Sequence, residues 1–435
     1  MKKIVLRILS DNGKIGSVVH VFLLRSLALV VNVCTSLLTA ALLGPAGRGE
    51  QAALVIAPQF LAGMSTLGLN AALIYNVNAD PEREREYLGA ALLIALAAGS
   101  MAAGIGWVLE PVWLTKYSQH AVAMGRLFLF LTPLTSLIWV FNAMLESRAR
   151  FVVANLAVCS AGFVTLIVLL VLAKEGLLTS VSAAGAYLLP SIPICAFLAV
   201  YVCRLICPKL AFKLAISRRL LHYGLRFYGI DFLSTLGAYI DQIILISLLT
   251  PHAVGIYVLA FSFSRLLNVI QTAVSTVLFP SIAAGHISRI IEPVALAVRI
   301  TVVINAAAAV VFGLVGPYLL VLMYGLQFAP ATAPFQVLLA ETIVSNAARI
   351  LYHLYNGSGH PGVVSAVEGI GLSVSIPSML IMVPTYGPTG AAFAVLLGSS
   401  VRLATVLVAL PVILRVRIPR LVLGRSDIVW LASRW

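Results

Sequence analysis

Apolar stretches long enough to cross a bilayer follow one another along almost the whole chain, separated by polar punctuation that is mostly only a few residues long. A hydrocarbon core of ~30 Å requires ~20 apolar residues of helix. Lipid offers the backbone no hydrogen-bond partner, so each stretch predicts a helix. The pattern predicts spans at 20–42, 52–76, 88–109, 121–142, 152–173 and 182–203, then at 224–249, 254–282, 297–322, 334–355, 363–383 and 389–414. The expected fold class is an all-α polytopic membrane protein of about twelve transmembrane helices.

Composition agrees: 61% of residues are hydrophobic and 10% charged, with a mean hydropathy of +1.04. A soluble domain of this make-up would have too little polar surface. The net charge of +14 changes the picture only through its placement, because the cations collect in alternate loops rather than on a face that could read nucleic acid. Lys2, Lys3, Arg7, Lys14, Arg83, Arg85, Arg148, Arg150, Arg204, Lys209, Lys213, Arg218, Arg219, Arg226, Arg289, Arg299 and the arginines from Arg415 onward fall on one side. The other side carries Arg48, Lys116 and Lys174, with Arg126 just inside a span. By the positive-inside rule both termini are cytoplasmic. The first apolar run is too long for a cleaved signal and reads as a retained anchor.

The chain reads as two copies of one unit. Pro45 and Gly49 in the turn Leu43-Gly44-Pro45-Ala46-Gly47-Arg48-Gly49 recur as Pro251 and Gly255 in Leu249-Thr250-Pro251-His252-Ala253-Val254-Gly255, both at an offset of 206 residues. A third, weaker echo is Tyr386-Gly387-Pro388-Thr389-Gly390. The expected organisation is an N-terminal six-helix lobe at 1–203, a cytoplasmic amphipathic linker at 204–223, a C-terminal six-helix lobe at 224–414 and a basic tail at 415–435. The linker and tail mix cations with Leu, Ile and Trp, which suits contact with an anionic leaflet.

Charges inside the spans carry most of the functional information, because an ionisable group near the midplane costs at least ~2.5–3.5 kcal/mol and is usually turned to a cavity or a partner. Arg25, Arg265, Arg349 and Arg402 are candidate cavity cations, and Asp231, Asp241 and Glu341 are candidates for coupling or gating. Arg25 plus the repeat offset is position 231. Three readings of that equivalence stand: an ion pair made and broken during alternating access, a static structural bridge, or Arg25 reaching to the inner headgroups. Guanidinium binds oxyanions through two parallel donors, so this set favours a phosphate-bearing cargo over a cationic drug. The three carboxylates either couple protons or Na⁺ or neutralise the arginines.

The five cysteines Cys34, Cys159, Cys195, Cys203 and Cys207 lie in or at the ends of spans and show no disulfide or zinc spacing. The seven histidines are scattered, and nothing resembles a phosphate-cradling Gly-rich loop. A membrane sugar polymerase or ligase would place its chemistry in a sizeable outer loop, and none is present. Pro58, Pro133, Pro190, Pro193 and Pro377 fall within spans, where a missing donor bends a helix. The run from Asp80 to Glu86 reads as a solvated loop or helix start.

Together Leu42 through Glu50, Gly63-Met64-Ser65-Thr66-Leu67-Gly68-Leu69, Asp241, Thr250-Pro251, Gly255-Ile256-Tyr257 and Phe279-Pro280 resemble the polysaccharide-transporter branch of the multidrug/oligosaccharidyl-lipid/polysaccharide (MOP) flippase superfamily. The resemblance covers nearly the whole chain. It implies two six-helix lobes around a central cavity, as in the superfamily's multidrug (MATE) transporters. It also implies an O-antigen type of cargo, an oligosaccharide on an undecaprenyl pyrophosphate anchor flipped across the bacterial inner membrane, with cationic cavity residues matching Arg25, Arg265 and Arg402. The expected partners are that lipid-linked oligosaccharide, membrane lipids and polysaccharide polymerase or assembly proteins. No cofactor is expected beyond an H⁺ or Na⁺ gradient. The alternative within the superfamily is a multidrug or small-solute cation antiporter.

Overall fold

The computed structural model describes residues 14–209, 213–272, 274 and 287–416, giving the backbone alone at 14–26, 287–291 and 293. The basic residues before Lys14, the pair Phe279-Pro280, Arg417 and the tail beyond it, and the side chains of Arg25 and Arg289 therefore lie outside the described residues. The described chain is helical without strands, and nine of its helical segments are long and apolar enough to cross a membrane.

The helices are α1 Lys14–Met64, α2 Leu69–Ala79, α3 Glu84–Trp113, α4 Gln119–Leu129, α5 Thr132–Ser147, α6 Phe151–Lys174, α7 Ser180–Leu188, α8 Ser191–Ile206, α9 Leu214–Leu248, α10 Pro251–Ser264, α11 Ile287–Tyr324, α12 Thr332–Gly357 and α13 Pro361–Ala409. They divide into two compact units, Met1–Gly255 and Ile256–Trp435. The helix of the expected seventh span, α9, belongs to the first unit. That unit closes around Leu73, Leu88, Met144 and Leu198, and the second around Val298, Ile350, Tyr355 and Val406. On α11, Val310, Leu314, Tyr318 and Leu322 form an exposed stripe at helical spacing, with Leu322 82% exposed, as a surface facing lipid requires.

Expected loops between spans are tighter than the sequence suggests. Gly44 (φ 66°, ψ 179°) and Gly387 (φ 56°, ψ −136°) each break a helix in a single residue, and Pro45 and Pro388 open the next helical stretch. Glycine supplies the left-handed conformation, while proline at a first helical position gives up a donor that would be unpaired anyway. Arg48, expected in an outer loop, is consequently in the first turn after the break. It is buried, donates to Gln51 Oε1, and donates to Ser36 Oγ at 2.8 Å.

Among the described residues three expected spans of the first unit are interrupted. The second breaks at Leu67 and Gly68, both with positive φ. Tyr228 donates its hydroxyl to the Met64 carbonyl at 2.7 Å, satisfying an acceptor freed there. The fourth and sixth break beside Pro133 and Pro190. Pro58, Pro193 and Pro377 stay inside continuous helices.

The acidic run after Asp80 is a 3₁₀ turn, Pro81–Arg83, followed by the start of α3. It also clasps the linker. Glu86 pairs with Lys213, Asp80 with Arg219 at 3.9 Å, and Glu84 with Arg148. Arg85 Nε donates to the Ile206 carbonyl at 2.7 Å. The expectation that the linker's cations all meet lipid is corrected to that extent: two of them meet carboxylates of their own chain.

Candidate functional site

In the second unit, the expected span eight is interrupted by a 3₁₀ turn, Arg265–Leu267, that begins at Arg265. A short 3₁₀ stretch inside a helix re-aims side chains that a continuous α-helix would distribute around its circumference. Arg265 Nη1 lies 3.0 Å from Glu341 Oε2 as an ion pair, and its guanidinium carbon sits 4.4 Å above the Phe261 ring. Glu341, on α12 and only 2% exposed, also accepts from Ser399 Oγ at 2.8 Å. Ser399 in turn lies 3.5 Å from Arg402 Nη1, one turn further along α13. Arg402 Nε is 3.0 Å from Glu368 Oε2, and Tyr352 donates to the other oxygen of Glu368 at 3.0 Å.

This is a continuous chain of polar contacts, Arg265 to Glu341 to Ser399 to Arg402 to Glu368 to Tyr352, in a segment of otherwise apolar helices. Gly371 makes room for it, since a Cβ there would come within 2.9 Å of Arg402 Cδ and closer still to other atoms of that side chain. Arg349, on the same helix as Glu341, is exposed and has Arg265, Glu341, Glu368 and Tyr352 as electrostatic neighbours. No ion pair of Arg349 occurs among the described residues. Three arginines face two glutamates, so the cluster carries an excess positive charge.

Four residues singled out in the sequence, Arg265, Arg349, Arg402 and Glu341, thus come together in one cluster. The carboxylates Glu341 and Glu368 already hold two of the guanidiniums, which fits the neutralising reading of Glu341. Asp231 and Asp241 lie elsewhere, on α9 of the first unit, where Asp241 is buried. The Arg25 to Asp231 pairing falls outside the described residues, because the Arg25 side chain does. Sequence reasoning missed Glu368, Ser399 and Tyr352. It also missed Glu110 on α3, which is 1% exposed and whose carboxylate oxygens have no hydrogen-bond partner among the described residues. An acidic residue inside a predicted span was the available signal for Glu368, while Glu110 fell just beyond a predicted boundary.

Asp231 borders a second feature, an open cavity of about 410 Å³ in the first unit. Trp139, Asn142, Ala143 and Glu146 reach it from one face of α5, and Asp231, Ser234 and Thr235 from one face of α9. Asn142 Oδ1 is buried there without a hydrogen-bond partner among the described residues. Among the described residues no group of three or more His, Cys, Asp or Glu could hold a metal ion.

Residues 17–286 match the polysaccharide biosynthesis protein family. No curated protein matches the chain in sequence. Among solved structures, the chain superimposes on a lipid II flippase, MurJ, in an inward closed conformation with a TM-score of 0.77 at 13% identity, covering 94% of this chain and 89% of that one. An inward-facing multidrug resistance MATE family transporter of the MOP superfamily gives 0.69 at 15% identity, covering 87% and 92%. A MOP superfamily transporter from Pyrococcus furiosus, described as having a binding pocket of reverse polarity, gives 0.61 at 14% identity, covering 92% and 95%.

Proposed function

The chain belongs to the polysaccharide biosynthesis protein family, and from that premise we propose that it flips an undecaprenyl-pyrophosphate-linked oligosaccharide across the bacterial inner membrane by alternating access. Its fold is that of the MOP superfamily transporters, and the protein is a multi-pass membrane transporter rather than an enzyme. The observation that supports the cargo is the arginine cluster of the second unit. Arg265, Arg349 and Arg402 offer guanidinium forks to a diphosphate, and Glu341 and Glu368 hold two of those forks while the cargo is absent. Substrate entry then exchanges one carboxylate partner for one phosphate oxygen, so no cation is left buried and bare at any stage. Arg25, Asp231 and Asp241 are assigned to gating or ion coupling, with H⁺ or Na⁺ as the driving ion, and a surface-polysaccharide polymerase is the expected downstream partner.

A second reading, a cation antiporter, draws on the first-unit cavity, where among the described residues two carboxylates and a tryptophan form part of the lining and no basic residue does. Flipping in proteoliposomes separates the two. A fluorescent undecaprenyl-pyrophosphate tetrasaccharide should become protected from an external quencher or glycosidase in a manner lost in Arg402→Ala. Absence of protection, together with gradient-driven uptake of a cationic dye, would overturn the flippase reading.

A further inference from the structure

The first-unit cavity has a composition opposite to that of the arginine cluster. It is lined by seven residues with polar side chains and one tryptophan, and among the described residues its lining has no lysine, arginine or histidine. The volume of about 410 Å³ is within the ~300–1,000 Å³ of small-ligand pockets.

The spacing of its lining shows how helices build it. Trp139, Asn142 and Glu146 repeat at intervals of three and four on α5, as Asp231 and Ser234 do on α9, and Asn70 enters from the first turn of α2 just past the break at Gly68. That break matters, because it ends the preceding helix early and lets the chain restart with Asn70 on the cavity side. Among the described residues Asn142 Oδ1 is buried yet unpartnered, and a buried amide oxygen left unpaired costs ~1–3 kcal/mol. The site therefore keeps acceptors waiting for donors. The Glu146 and Asp231 carboxylates, for which no ion pair occurs among the described residues, are acceptors of the same kind.

We propose that this cavity is a glycan subsite: Trp139 stacks on the apolar C–H face of a sugar ring, while Asn70, Asn142, Glu146, Asp231 and Ser234 accept from or donate to its hydroxyls. A sugar ring presents both chemistries at once, an apolar face and a rim of donors and acceptors, and an aromatic face with amides and carboxylates around it answers both. A cationic ligand would use the carboxylates and the tryptophan but leave the two amides and the serine without a role. The inference rests on the flippase reading and deepens it by giving the sugar portion of the cargo a site of its own, in the first unit.

The test compares two probes on the full chain in nanodiscs: bare undecaprenyl pyrophosphate, and the same lipid carrying a tetrasaccharide. The native protein should hold the glycosylated lipid ~10-fold or more tighter, the equivalent of one well-made stacking and hydrogen-bonding site. Asn142→Ala and Trp139→Ala should each erase that preference while leaving affinity for the bare lipid within about twofold, a result that also certifies folding. Asn70→Ala should reduce the preference in part. If both lipids bind the native chain equally, or the variants weaken both alike, the glycan subsite is overturned and the flippase reading survives. If neither lipid binds while the cation tetraphenylphosphonium does, and Trp139→Ala abolishes its binding, both readings fall.

Discussion

Gly49 and Gly255 face each other backbone to backbone: a Cβ added to Gly49 would lie 2.8 Å from Gly255 N, and one added to Gly255 would lie 3.0 Å from Gly49 N. The same hypothetical atoms would overlap the carbonyls of Pro251 and Pro45 respectively. The contact is reciprocal, and its members are related by the constant offset of 206 residues. The two turns pack on each other reciprocally, and the equal Pro-to-Gly spacing in the two has a physical cause in that approach.

Alanine at either glycine should therefore act alike. Overpacking a tight backbone contact costs ~1–3 kcal/mol, so Gly49→Ala and Gly255→Ala should each lower the thermal unfolding midpoint or reduce flipping severalfold. The double variant should cost little more than either single one, because both methyls open the same contact. Additive losses in a thermal-shift and flipping series would show the two glycines to act independently.

The pair Arg265 and Glu341 allows stability and transport to be separated. Glu341→Gln leaves Arg265 in apolar surroundings with Phe261 but no counter-charge, and breaking a buried pair costs ~3–5 kcal/mol. The joint replacement Arg265→Met with Glu341→Leu removes both charges and should restore the unfolding midpoint to within ~1 kcal/mol of native or above it. Flipping should stay lost in the joint variant, since the guanidinium has gone. Recovery of flipping with recovery of stability would assign the pair a purely structural role.

Much of the fold was legible because hydropathy reports burial in lipid directly. What it cannot report is how a chain turns. A Gly-Pro step at Gly44 or Gly387 reverses direction within a single residue, so the sequence shows a loop where the structure has only a break. Arg48 was misplaced for the same reason, being counted as a loop cation when it begins a helix. The cluster was half legible: Arg265, Arg349, Arg402 and Glu341 stand out as charges in apolar spans, but their mutual contacts join residues 76 and 34 positions apart, as Arg265 with Glu341 and Glu368 with Arg402 do. No local spacing encodes such pairs.

The linker clasp should prove weak and salt-sensitive. Lys213 with Glu86 and Arg219 with Asp80 involve cations half exposed to water, and such pairs contribute ~0–1 kcal/mol. Glu86→Ala or Asp80→Ala should move the unfolding midpoint by less than ~1 kcal/mol, and 0.5 M salt, about a 4 Å Debye length, should erase even that. A larger loss, insensitive to salt, would mean that the clasp fixes the course of the chain between Ile206 and Leu214 rather than merely decorating it.

Arg48 sets two magnitudes against each other. Its guanidinium is buried, and its hydrogen-bond partners among the described residues are neutral, the Gln51 amide oxygen and the Ser36 hydroxyl, while Nε has none. Hydrogen bonds from a charged donor contribute ~1.5–3 kcal/mol each. Desolvating a cation without a counter-ion costs several kcal/mol, and well-packed apolar replacements of buried charges are often neutral or stabilising by ~1–4 kcal/mol. Desolvation wins on these figures, since Nε stays unpaired and no carboxylate among the described residues repays the burial. Arg48→Met, which keeps the length of the stem, should accordingly raise the unfolding midpoint by the equivalent of ~1 kcal/mol or more. Arg48→Lys, with a more strongly hydrated ammonium that cannot span Gln51 and Ser36 together, should lower it. Thermal unfolding of the two variants followed by tryptophan fluorescence decides the matter: a lower midpoint for Arg48→Met would show that the two hydrogen bonds outweigh the buried charge, and that the residue serves the stability of the turn after Gly44.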